Sequence, residues 1–561
     1  MNTLDWIFLI CTLSFIILYG IFKNRKNTNI DGFFLGNKSL PWYHVGLSVM
    51  ATQASAITFL SAPGQAFTDG MRFVQFYFGL PLAMVVLSIT FIPIFHRLKV
   101  FTAYEFLESR FDGNVRVFTA ILFLIQRGLS TGISIYAPSI ILSTIFGWDI
   151  FWTNAFMGGL VLTYTLLGGT KAISYTHIQQ MLIMTGALVF AGYMLVHLLP
   201  ADIGVVDAVK VAGKAGKVNI IDLEFNPQER YNVWSGLLGG FFLQLSYFGT
   251  DQSQVGRYLT AKSITQSRLG LLFNGMVKIP MQFGILFLGV LVFVFYQFNG
   301  APLFFNEVET QKLLDSPYAN EYRLLVDEQK TNAELKKEQM YTLHEAMKAN
   351  DEEQINRSQE ILLESESVYK SLKTKVSDLI EKSNPGGDTG DVNYIFLRFI
   401  LDHLPHGFVG LLIAIIFSAS MGSVASAYNS LAATTMIDVF KKSRKKAMSD
   451  SKELMISKMI TVFWAVACII VAYYANKLGS SMIELVNILG SWFYGIILGI
   501  FLVAFYNKTI GGKAILISAV ISQFLIILIW KLELVAYLWL NPIGCALVFS
   551  IAWVLQRLLK K

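Results

Sequence analysis

The segment VMATQASAITFLSAPGQAF (49–67) is the most informative part of the sequence. It lies within an apolar run long enough to cross a bilayer, but it contains Gln53, Ser55, Thr58 and, further along, Pro63. Proline has no N–H and clashes with the preceding turn, so it frees carbonyl oxygens. At membrane depth such oxygens persist only where they are buried in protein or face a cavity. The stretch therefore predicts a discontinuous helix that presents carbonyl oxygens to a cation, and a kinked, tightly packed helix is the alternative.

The rest of the chain has the composition of a membrane protein. Of its 561 residues, 54% are hydrophobic and 15% are charged, whereas soluble domains carry about 25% charged residues. With one helix for each run of about 20 mainly apolar residues, we predict an all-α polytopic membrane protein with about 13 transmembrane helices. These spans lie roughly at 4–22, 43–68, 74–96, 117–146, 149–168, 176–199, 232–252, 269–298, 407–440, 455–476, 482–506, 514–531 and 533–556.

Basic residues are concentrated in alternate short loops, as at 23–26, 97–116, 257–268 and 441–446. Because such loops stay in the cytoplasm, we expect a multi-pass protein of the cell (inner or cytoplasmic) membrane. Its N-terminus would lie outside and its C-terminus in the cytoplasm. The lipid bilayer is then a partner, and nucleic-acid binding is not expected, since the basic residues sit between apolar runs.

Two long loops, at 200–231 and 300–392, fall on the outer side in this orientation. Residues 320–383 of the second loop predict a helical hairpin, which SNPGGDTGD (383–391) ends as a linker. A thin apolar stripe supports the hairpin: Leu335, Met340, Leu343, Met347, Ile361, Leu362, Val368, Leu372, Val376, Leu379 and Ile380. The hairpin is either a solvated insert with no transport role or a surface for a partner.

A second unusual segment is GLLIAIIFSASMGSVASAYNSLAATTMIDVF (410–440). Ser420, Ser423, Ser426 and Ser430 recur at helical spacing, which predicts hydroxyl groups along one face. Hard cations prefer oxygen ligands, although serine-rich faces also arise from plain helix–helix packing. Together with the broken helix, the segment becomes a candidate sodium site.

The third segment is LLGGFFLQLSYFGTDQSQVGRYLTAKS (237–263), where Gln244 and Tyr247 share a face between glycines and Asp251 falls near the cytoplasmic end. Two ionisable residues stand within other spans: Arg127 in the fourth and Lys278 in the eighth. Charged residues at membrane depth usually mark a pathway. Each of these two side chains would either reach toward the membrane surface or form a structural ion pair, or it would instead bind an anionic or hydroxyl-rich solute.

At these segments the chain resembles the sodium/solute symporter family over essentially its whole membrane part, without the insert at 300–392. The matching strings include RLKVFTAYEFLESRF (97–111), TGISIYAPSIIL (131–142), LLGGTKAISYTHIQ (166–179), GTDQSQVGRYLTAKS (249–263) and 418–439. The first two look most like the branch that carries iodide, monocarboxylates and vitamins.

The resemblance implies a leucine-transporter-like 5+5 inverted repeat with a helical extracellular insert. The chain would divide into an N-terminal peripheral helix and cytoplasmic loop (1–42), the first repeat (43–199), an outer loop (200–231), the start of the second repeat (232–299), the insert (300–392), the rest of the second repeat (393–506), and peripheral helices with a short cytoplasmic tail (507–561).

The resemblance also implies one co-transported sodium ion, held by the carbonyls of Ala51, Ala54 and Ala419 and the hydroxyl of Ser423. Where many members carry a further hydroxyl, this chain has Gly422, so a water or a solute atom would complete the shell. Some members bind a second sodium through an aspartate, but that position is His177 here, and a second sodium is doubtful.

For the solute, polar positions of sugar-carrying and sialic-acid-carrying relatives imply a set of lining candidates: Ser55, Thr58, Gln75, Arg127, Gln244, Tyr247, Lys278 and Asn487. Two buried cations with few buried acids nearby favour a carboxylate-bearing solute, because an arginine fork binds a carboxylate through two hydrogen bonds. A monocarboxylate, a vitamin or a sialic-acid-like solute would fit, and a neutral sugar or polyol is the alternative.

We therefore expect a sodium-coupled symporter that imports a small organic solute by alternating access. An enzyme is not expected, because the chain has no HExxH or P-loop motif and no paired carboxylates at membrane depth. A transporter-like solute sensor, which would use the outer insert, is the alternative of a different class.

Overall fold

The computed structural model describes residues 1–23, 34, 38–442, 448–475 and 481–559. These described residues fold into helices without a strand, apart from one isolated parallel bridge between Leu40 and Ala261. The predicted all-α membrane class is confirmed. Some of the basic loop residues behind the orientation prediction, at 25–26 and 444–446, lie outside the described residues.

The first half of the molecule begins with a peripheral helix and continues through the segments that correspond to the first predicted repeat. Its helices are α1 (Thr3–Lys23), α2 (Trp42–Gln53), α3 (Ala56–Asp69), α4 (Leu80–Ile89), α5 (Phe91–Leu98), α6 (Glu105–Arg110), α7 (Gly113–Phe146), α8 (Ile150–His197) and α9 (Val205–Lys214). A 3-10 segment, Gly70–Tyr77, joins α3 to α4 through Gly70, which has a φ of 74°.

The second half contains the insert between two groups of membrane helices. It comprises α10 (Gly240–Thr250), α11 (Gln252–Tyr258), α12 (Ile264–Asn299), α13 (Glu307–Leu314), α14 (Ala319–Ala349), α15 (Glu352–Ser383), α16 (Ile395–His403), α17 (Phe408–Thr434), α18 (Asp450–Ala475), α19 (Met482–Tyr506), α20 (Gly512–Lys531) and α21 (Leu540–Leu559). A π-helical turn at Ser235–Gly239 precedes α10, and another at Thr435–Phe440 follows α17.

Among the described residues, nine helical runs are long and apolar enough to cross a membrane, and the helices at 3–16 and 150–166 are apolar but shorter. The predicted span at 43–68 is not a single helix, because it is broken between α2 and α3. The span at 232–252 stays helical from 233 to 250, with the π-helical turn inside it, and it ends at Asp251, where the backbone is extended before α11 begins. Discontinuous helices of this kind line binding sites in transporters.

The chain bends sharply within α8. The hydroxyl oxygens of Tyr164 and Thr176 lie 2.7 Å apart although twelve residues separate them. In a straight helix twelve residues rise about 18 Å, which two side chains cannot bridge. Helical structure thus continues from Ile150 to His197 while the helix axis turns between the two predicted spans, 149–168 and 176–199.

The serine-rich helix α17 lies in the interior of the molecule. Nearly all of its side chains are buried, and it packs against α1, α2, α3, α7, α8 and α18. A helix that is buried all round belongs in the interior of a large protein. Its small residues allow the neighbouring backbones to approach closely, which positions the site described below.

The insert forms the predicted helical hairpin. The amide of Asn332 on α14 donates to the carbonyl of Ser365 on α15, with a distance of 3.1 Å. The Tyr369 hydroxyl donates to the carbonyl of Pro302 at 3.0 Å, so the hairpin is fastened to the end of α12. Most of the predicted apolar stripe is buried, but Leu335 and Val368 are exposed, because the contact between the two helices is narrower than the stripe.

Candidate functional site

The first-repeat helix breaks at Ala54 and Ser55. Helix α2 ends at Gln53 and α3 begins at Ala56, and the two residues between them have extended or irregular backbone, with ψ values of 80° and 177°. The predicted discontinuity is therefore confirmed, but its predicted cause is wrong. Pro63 lies inside the continuous helix α3, so the break arises from the backbone at 54–55 and not from the proline.

This break releases two carbonyl groups from regular helical hydrogen bonding. The N–H of Ser55, which would bond to Ala51 in a helix, donates to Gln53 at 3.1 Å. The N–H of Thr58 donates to Ser55 at 2.9 Å instead of to Ala54. Within the described residues, the carbonyls of Ala51 and Ala54 thus lack their usual i+4 donors. Such oxygens are suited to a cation that needs neutral oxygen ligands.

The serine-rich helix lies directly beside the break. The hydroxyl oxygens of Thr52 on α2 and Ser426 on α17 are 3.5 Å apart. Ser423 lines the same cavity as Thr52 and Ser55. Of the four serines predicted to share a face, which are all described residues, only Ser423 lines this cavity. The hydroxyl of Ser420 instead donates to the carbonyl of Ser134 on α7, at 3.1 Å.

The space beside Gly422 is filled by protein. A Cβ atom at this position would lie 2.7 Å from the side-chain oxygen of Gln180 and 2.8 Å from Nε2 of His177. His177 is itself buried, and its Nδ1 lies 3.0 Å from the hydroxyl of Ser48. Two side chains therefore occupy the space beside Gly422. That a water or a solute atom completes the ion shell stays a prediction.

A cavity of about 100 Å³ lies between the break, α7, α10 and α19. It brings together most of the predicted solute residues, namely Ser55, Thr58, Arg127, Gln244, Tyr247 and Asn487, together with the predicted sodium ligand Ser423. Ala51, Ala54 and Ala419 stand just outside its lining. Their role as carbonyl ligands stays a prediction.

Two predicted lining residues lie elsewhere. The Gln75 amide donates to the carbonyl of Tyr231 at 3.0 Å and accepts from the N–H of Asp222 at 3.1 Å, so it fixes the loop 215–231. Lys278 is buried behind the wall, with its Nζ 5.9 Å from the ring centre of Tyr77, which does line the cavity. Gln75 is thus a structural residue, and Lys278 does not line the cavity.

Arg127 has a partner that the sequence did not reveal. Its Nη1 lies 3.6 Å from Oδ2 of Asp251, the residue at which α10 passes into α11. The same carboxylate oxygen accepts a hydrogen bond from the Tyr494 hydroxyl at 3.0 Å. The sequence places Asp251 near the cytoplasmic end and gives the two buried cations few acids nearby. In the structure Asp251 lies beside Arg127, so an acid counters one of these two basic side chains.

Several buried polar atoms in the cavity wall have no hydrogen-bond partner in the described part of the chain. Both side-chain atoms of Gln244 are buried and have no hydrogen bond to any residue that the structure describes. The same holds for Oε1 of Gln53, Oε1 of Gln126 and Nε of Arg127 in the described part of the chain. Unpartnered buried polar groups are costly. Their concentration around one cavity indicates a binding site for a polar ligand.

Comparison with known families places the site in context. The sequence model of the sodium:solute symporter family matches residues 33–308 and 382–521. The two ranges include every residue of the cavity wall and leave out most of the hairpin. The predicted resemblance is therefore confirmed.

The chain is 33% identical to the human sodium/iodide cotransporter over 270 residues, which are 47% of this chain and 41% of that protein. It is 31% identical to the bovine sodium-coupled monocarboxylate transporter 2 over 281 residues, 49% of this chain and 45% of that protein. The aligned stretches thus span less than half the length of these relatives.

The fold is similar to that of a solved Na+-coupled sialic acid symporter in its substrate-bound outward-open state. The TM-score is 0.75 at 20% identity, and the match covers 99% of this chain and 98% of the other. This likeness confirms the leucine-transporter-like architecture.

Proposed function

Because the chain belongs to the sodium:solute symporter family, we propose that it is a sodium-coupled symporter that imports a small carboxylate-bearing solute by alternating access. The observation that carries this proposal is the shared cavity. Ser423 and the residues of the helix break border the same space as Arg127 and Gln244. An ion and a solute bound there would be neighbours.

The proposed sodium site joins the broken helix to α17. The carbonyls of Ala51 and Ala54 would face the ion from one side, and the carbonyl of Ala419 and the hydroxyl of Ser423 from the other. One sodium ion bound in this way would stabilise the arrangement in which α2 and α17 are close. A ligand shifts a conformational equilibrium only by its different affinity for the two states, so the ion would favour the conformation that receives the solute.

The proposed solute is an anion because the charges around the cavity do not balance. Arg127 and Lys278 are both basic, and Asp251 can counter only Arg127, which lies beside it. A guanidinium has five N–H donors, so Arg127 can hold Asp251 and a solute carboxylate at once. Iodide and monocarboxylates, which the names of the relatives give, are also anions.

The second candidate is a neutral sugar or polyol. The unpartnered amide of Gln244 and the unpartnered Oε1 of Gln126 are suited to hydroxyl groups, and Asp251 already offers Arg127 a counter-charge. Charge movement distinguishes the two candidates. One sodium ion with one monoanion carries no net charge, so a membrane potential should not change the uptake, whereas a neutral solute would be driven inward by an inside-negative potential.

The proposed function includes an orientation of the protein in the membrane. We place the protein in the cell membrane with the N-terminus outside and the C-terminus in the cytoplasm, so that the hairpin lies outside. A solute sensor that uses the hairpin is the remaining alternative. Deletion of 320–383 separates the roles: undiminished uptake would make the hairpin an accessory, which leaves it free to bind a partner.

The direct test is uptake of labelled monocarboxylates into proteoliposomes. We expect accumulation with a sodium gradient and none with equal gradients of potassium or choline. A tenfold sodium gradient is worth about 1.4 kcal/mol, so electroneutral coupling to one ion supports about tenfold accumulation. Equal uptake with all three cations would reject sodium coupling.

A further inference from the structure

His344 lies near the end of α14, where the hairpin meets the loop after α8. Its side chain is 1% exposed. Neither ring nitrogen has a hydrogen-bond partner in the part of the chain that the structure describes. A buried imidazole is normally hydrogen-bonded through at least one nitrogen. The membrane site described above makes no use of this residue.

Three carboxylates surround the ring at an unusual distance. Nδ1 lies 4.0 Å from Oδ2 of Asp202 and 3.9 Å from Oε1 of Glu345, and Nε2 lies 3.8 Å from Oδ2 of Asp207. A hydrogen bond from an imidazole N–H needs about 3.2 Å or less. The carboxylates are thus too far away to satisfy the ring and close enough to share a small ion with it.

The spacing fits a metal ion more closely than a direct ion pair. Zn²⁺ takes nitrogen and oxygen ligands at about 2.0–2.2 Å, which in a tetrahedral site places two ligand atoms about 3.4 Å apart. One ligand atom from each of Asp202, His344 and Glu345 lies within 4.8 Å of the others. The side chains of Asp202 and Glu345 are half exposed or more, so they can move the last few tenths of an ångström.

Asp207 completes the arrangement on the other side of the ring. A metal-bound histidine usually donates its second N–H to a carboxylate, which fixes the tautomer and the ring orientation. Asp207 can take this role after a small shift of its side chain, which is 29% exposed. Its Oδ2 also accepts from the N–H of Gly204 at 3.3 Å, at the start of α9. With Nε2–H directed at Asp207, the lone pair of Nδ1 points to Asp202 and Glu345.

We propose that Asp202, His344 and Glu345 bind a divalent transition-metal ion of the zinc type, with Asp207 as the positioning residue. Imidazole and carboxylate together favour such ions, whereas carboxylates and carbonyls alone would favour calcium or magnesium. A water molecule would take the fourth position. Lys348, whose Nζ lies 3.3 Å from Oε1 of Glu345, would lose this contact when the ion binds.

The ion would clamp the hairpin to the loop that follows α8. Helix α9 comes next, and the segment after it is attached to the end of the broken helix. The carbonyl of Lys217 accepts from the N–H of Met71 at 2.8 Å, and the ammonium group of Lys217 donates to the carbonyl of Thr68 at the end of α3. The metal therefore links the hairpin, which the family model does not match, to the helix that forms the proposed sodium site.

The test is titration of the purified full-length chain with Zn²⁺, with calorimetry and thermal unfolding as readouts. We expect one site, a rise in melting temperature, and a loss of affinity of at least tenfold in the double variant Asp202→Asn/Glu345→Gln. Both changes are on exposed side chains, so the variant should fold. His344→Ala should abolish the site, and Asp207→Asn should weaken it about 10–100-fold while the ligands stay in place.

The matched control is Glu334→Gln/Glu338→Gln, which removes the same charge from exposed positions on the same helix. It should bind Zn²⁺ as the unchanged chain does. Equal Zn²⁺ affinity in the Asp202/Glu345 variant and this control would overturn the proposal, and so would the absence of any Zn²⁺ site. Equal stabilisation by Mg²⁺ or Ca²⁺ would overturn the assigned metal class. None of these results depends on transport, so they stand apart from the proposed function.

Discussion

Nη1 of Arg127 lies 3.6 Å from Oδ2 of Asp251, across the cavity wall from the break between α2 and α3. This distance is too long for a hydrogen bond, so the two groups form an ion pair without a direct hydrogen bond. Asp251 is held by the Tyr494 hydroxyl and by the N–H and hydroxyl of Ser253. The carboxylate is therefore fixed, and Arg127 remains able to turn toward a solute.

Replacement of Arg127 should separate solute binding from folding. Arg127→Gln leaves Asp251 buried without its counter-charge, so the variant should lose stability as well as solute affinity. The double variant Arg127→Gln/Asp251→Asn removes both charges, and it should regain stability but still bind a carboxylate at least 30-fold more weakly, since truncating a buried charge contact costs about 2–5 kcal/mol. Direct binding to the purified protein measures this.

Lys278→Gln is the comparison for that experiment. Because Lys278 lies behind the wall of the cavity, we expect a smaller loss of carboxylate affinity than for the double variant. Unchanged affinity in both would remove the argument for an anionic solute and favour the sugar or polyol.

Ser423→Ala tests the proposed sodium site. The variant loses one oxygen ligand, and the half-saturating sodium concentration should rise about tenfold, which corresponds to about 1.4 kcal/mol. Ser430→Ala is a matched control, because Ser430 is also buried on α17 and donates to the carbonyl three residues earlier, at 2.9 Å. The sodium dependence of uptake should be unchanged in that variant.

Gln244→Leu should weaken solute binding about tenfold without destabilising the protein. Both polar atoms of the amide lack a partner among the described residues, so their removal ends a desolvation cost and the melting temperature should stay equal or rise. Gln75→Leu is the contrast, since its amide is hydrogen-bonded on both sides. That variant should unfold at a lower temperature, and a thermal-unfolding comparison of the two variants decides whether Gln244 is a ligand or a structural residue.

The linker after the hairpin should make stability depend on pH. Burial raises the pKa of Asp388 to about 6, although the N–H of Gly390 and the hydroxyls of Tyr136 and Tyr394 donate to it. The folded state then holds the proton more tightly than the unfolded state, so stability falls as pH rises from about 4 to about 6.

Lowering the pH from 7 to 5 should therefore stabilise the folded chain by about 1 kcal/mol through this group. Asp388→Asn cannot ionise. The difference in melting temperature between this variant and the unchanged chain should shrink as the pH falls, and a constant difference between pH 5 and pH 7 would contradict the prediction.

The sequence predicted the elements well and their interruptions only in part. The break in 49–67 follows from polar residues in an apolar run, but its position does not. Pro63 is tolerated within α3, whereas the real break falls at Ala54 and Ser55, beside α17. Local propensity cannot reveal which backbone hydrogen bonds the neighbouring helices replace.

The candidate site, too, could be predicted from the sequence only in part. Ser55, Thr58, Arg127, Gln244, Tyr247 and Asn487 line one cavity. The resemblance to sugar- and sialic-acid-carrying relatives pointed to them, and their role in solute binding stays a prediction. The partnership of Arg127 with Asp251, the structural role of Gln75 and the carboxylates around His344 all join residues that are distant in the chain. Only the tertiary structure brings them together.

If one sodium ion and one solute share the space beside Ser423, the entry of each should depend on the other. Uptake of radioactive sodium into proteoliposomes, with and without the solute, by the unchanged chain and by Ser423→Ala measures this. We expect the solute to accelerate sodium entry in the unchanged chain, with one ion per solute molecule, and this acceleration to be largely lost in the variant at low sodium concentration. Sodium entry that is indifferent to the solute, or a variant that couples as well as the unchanged chain, would contradict this expectation.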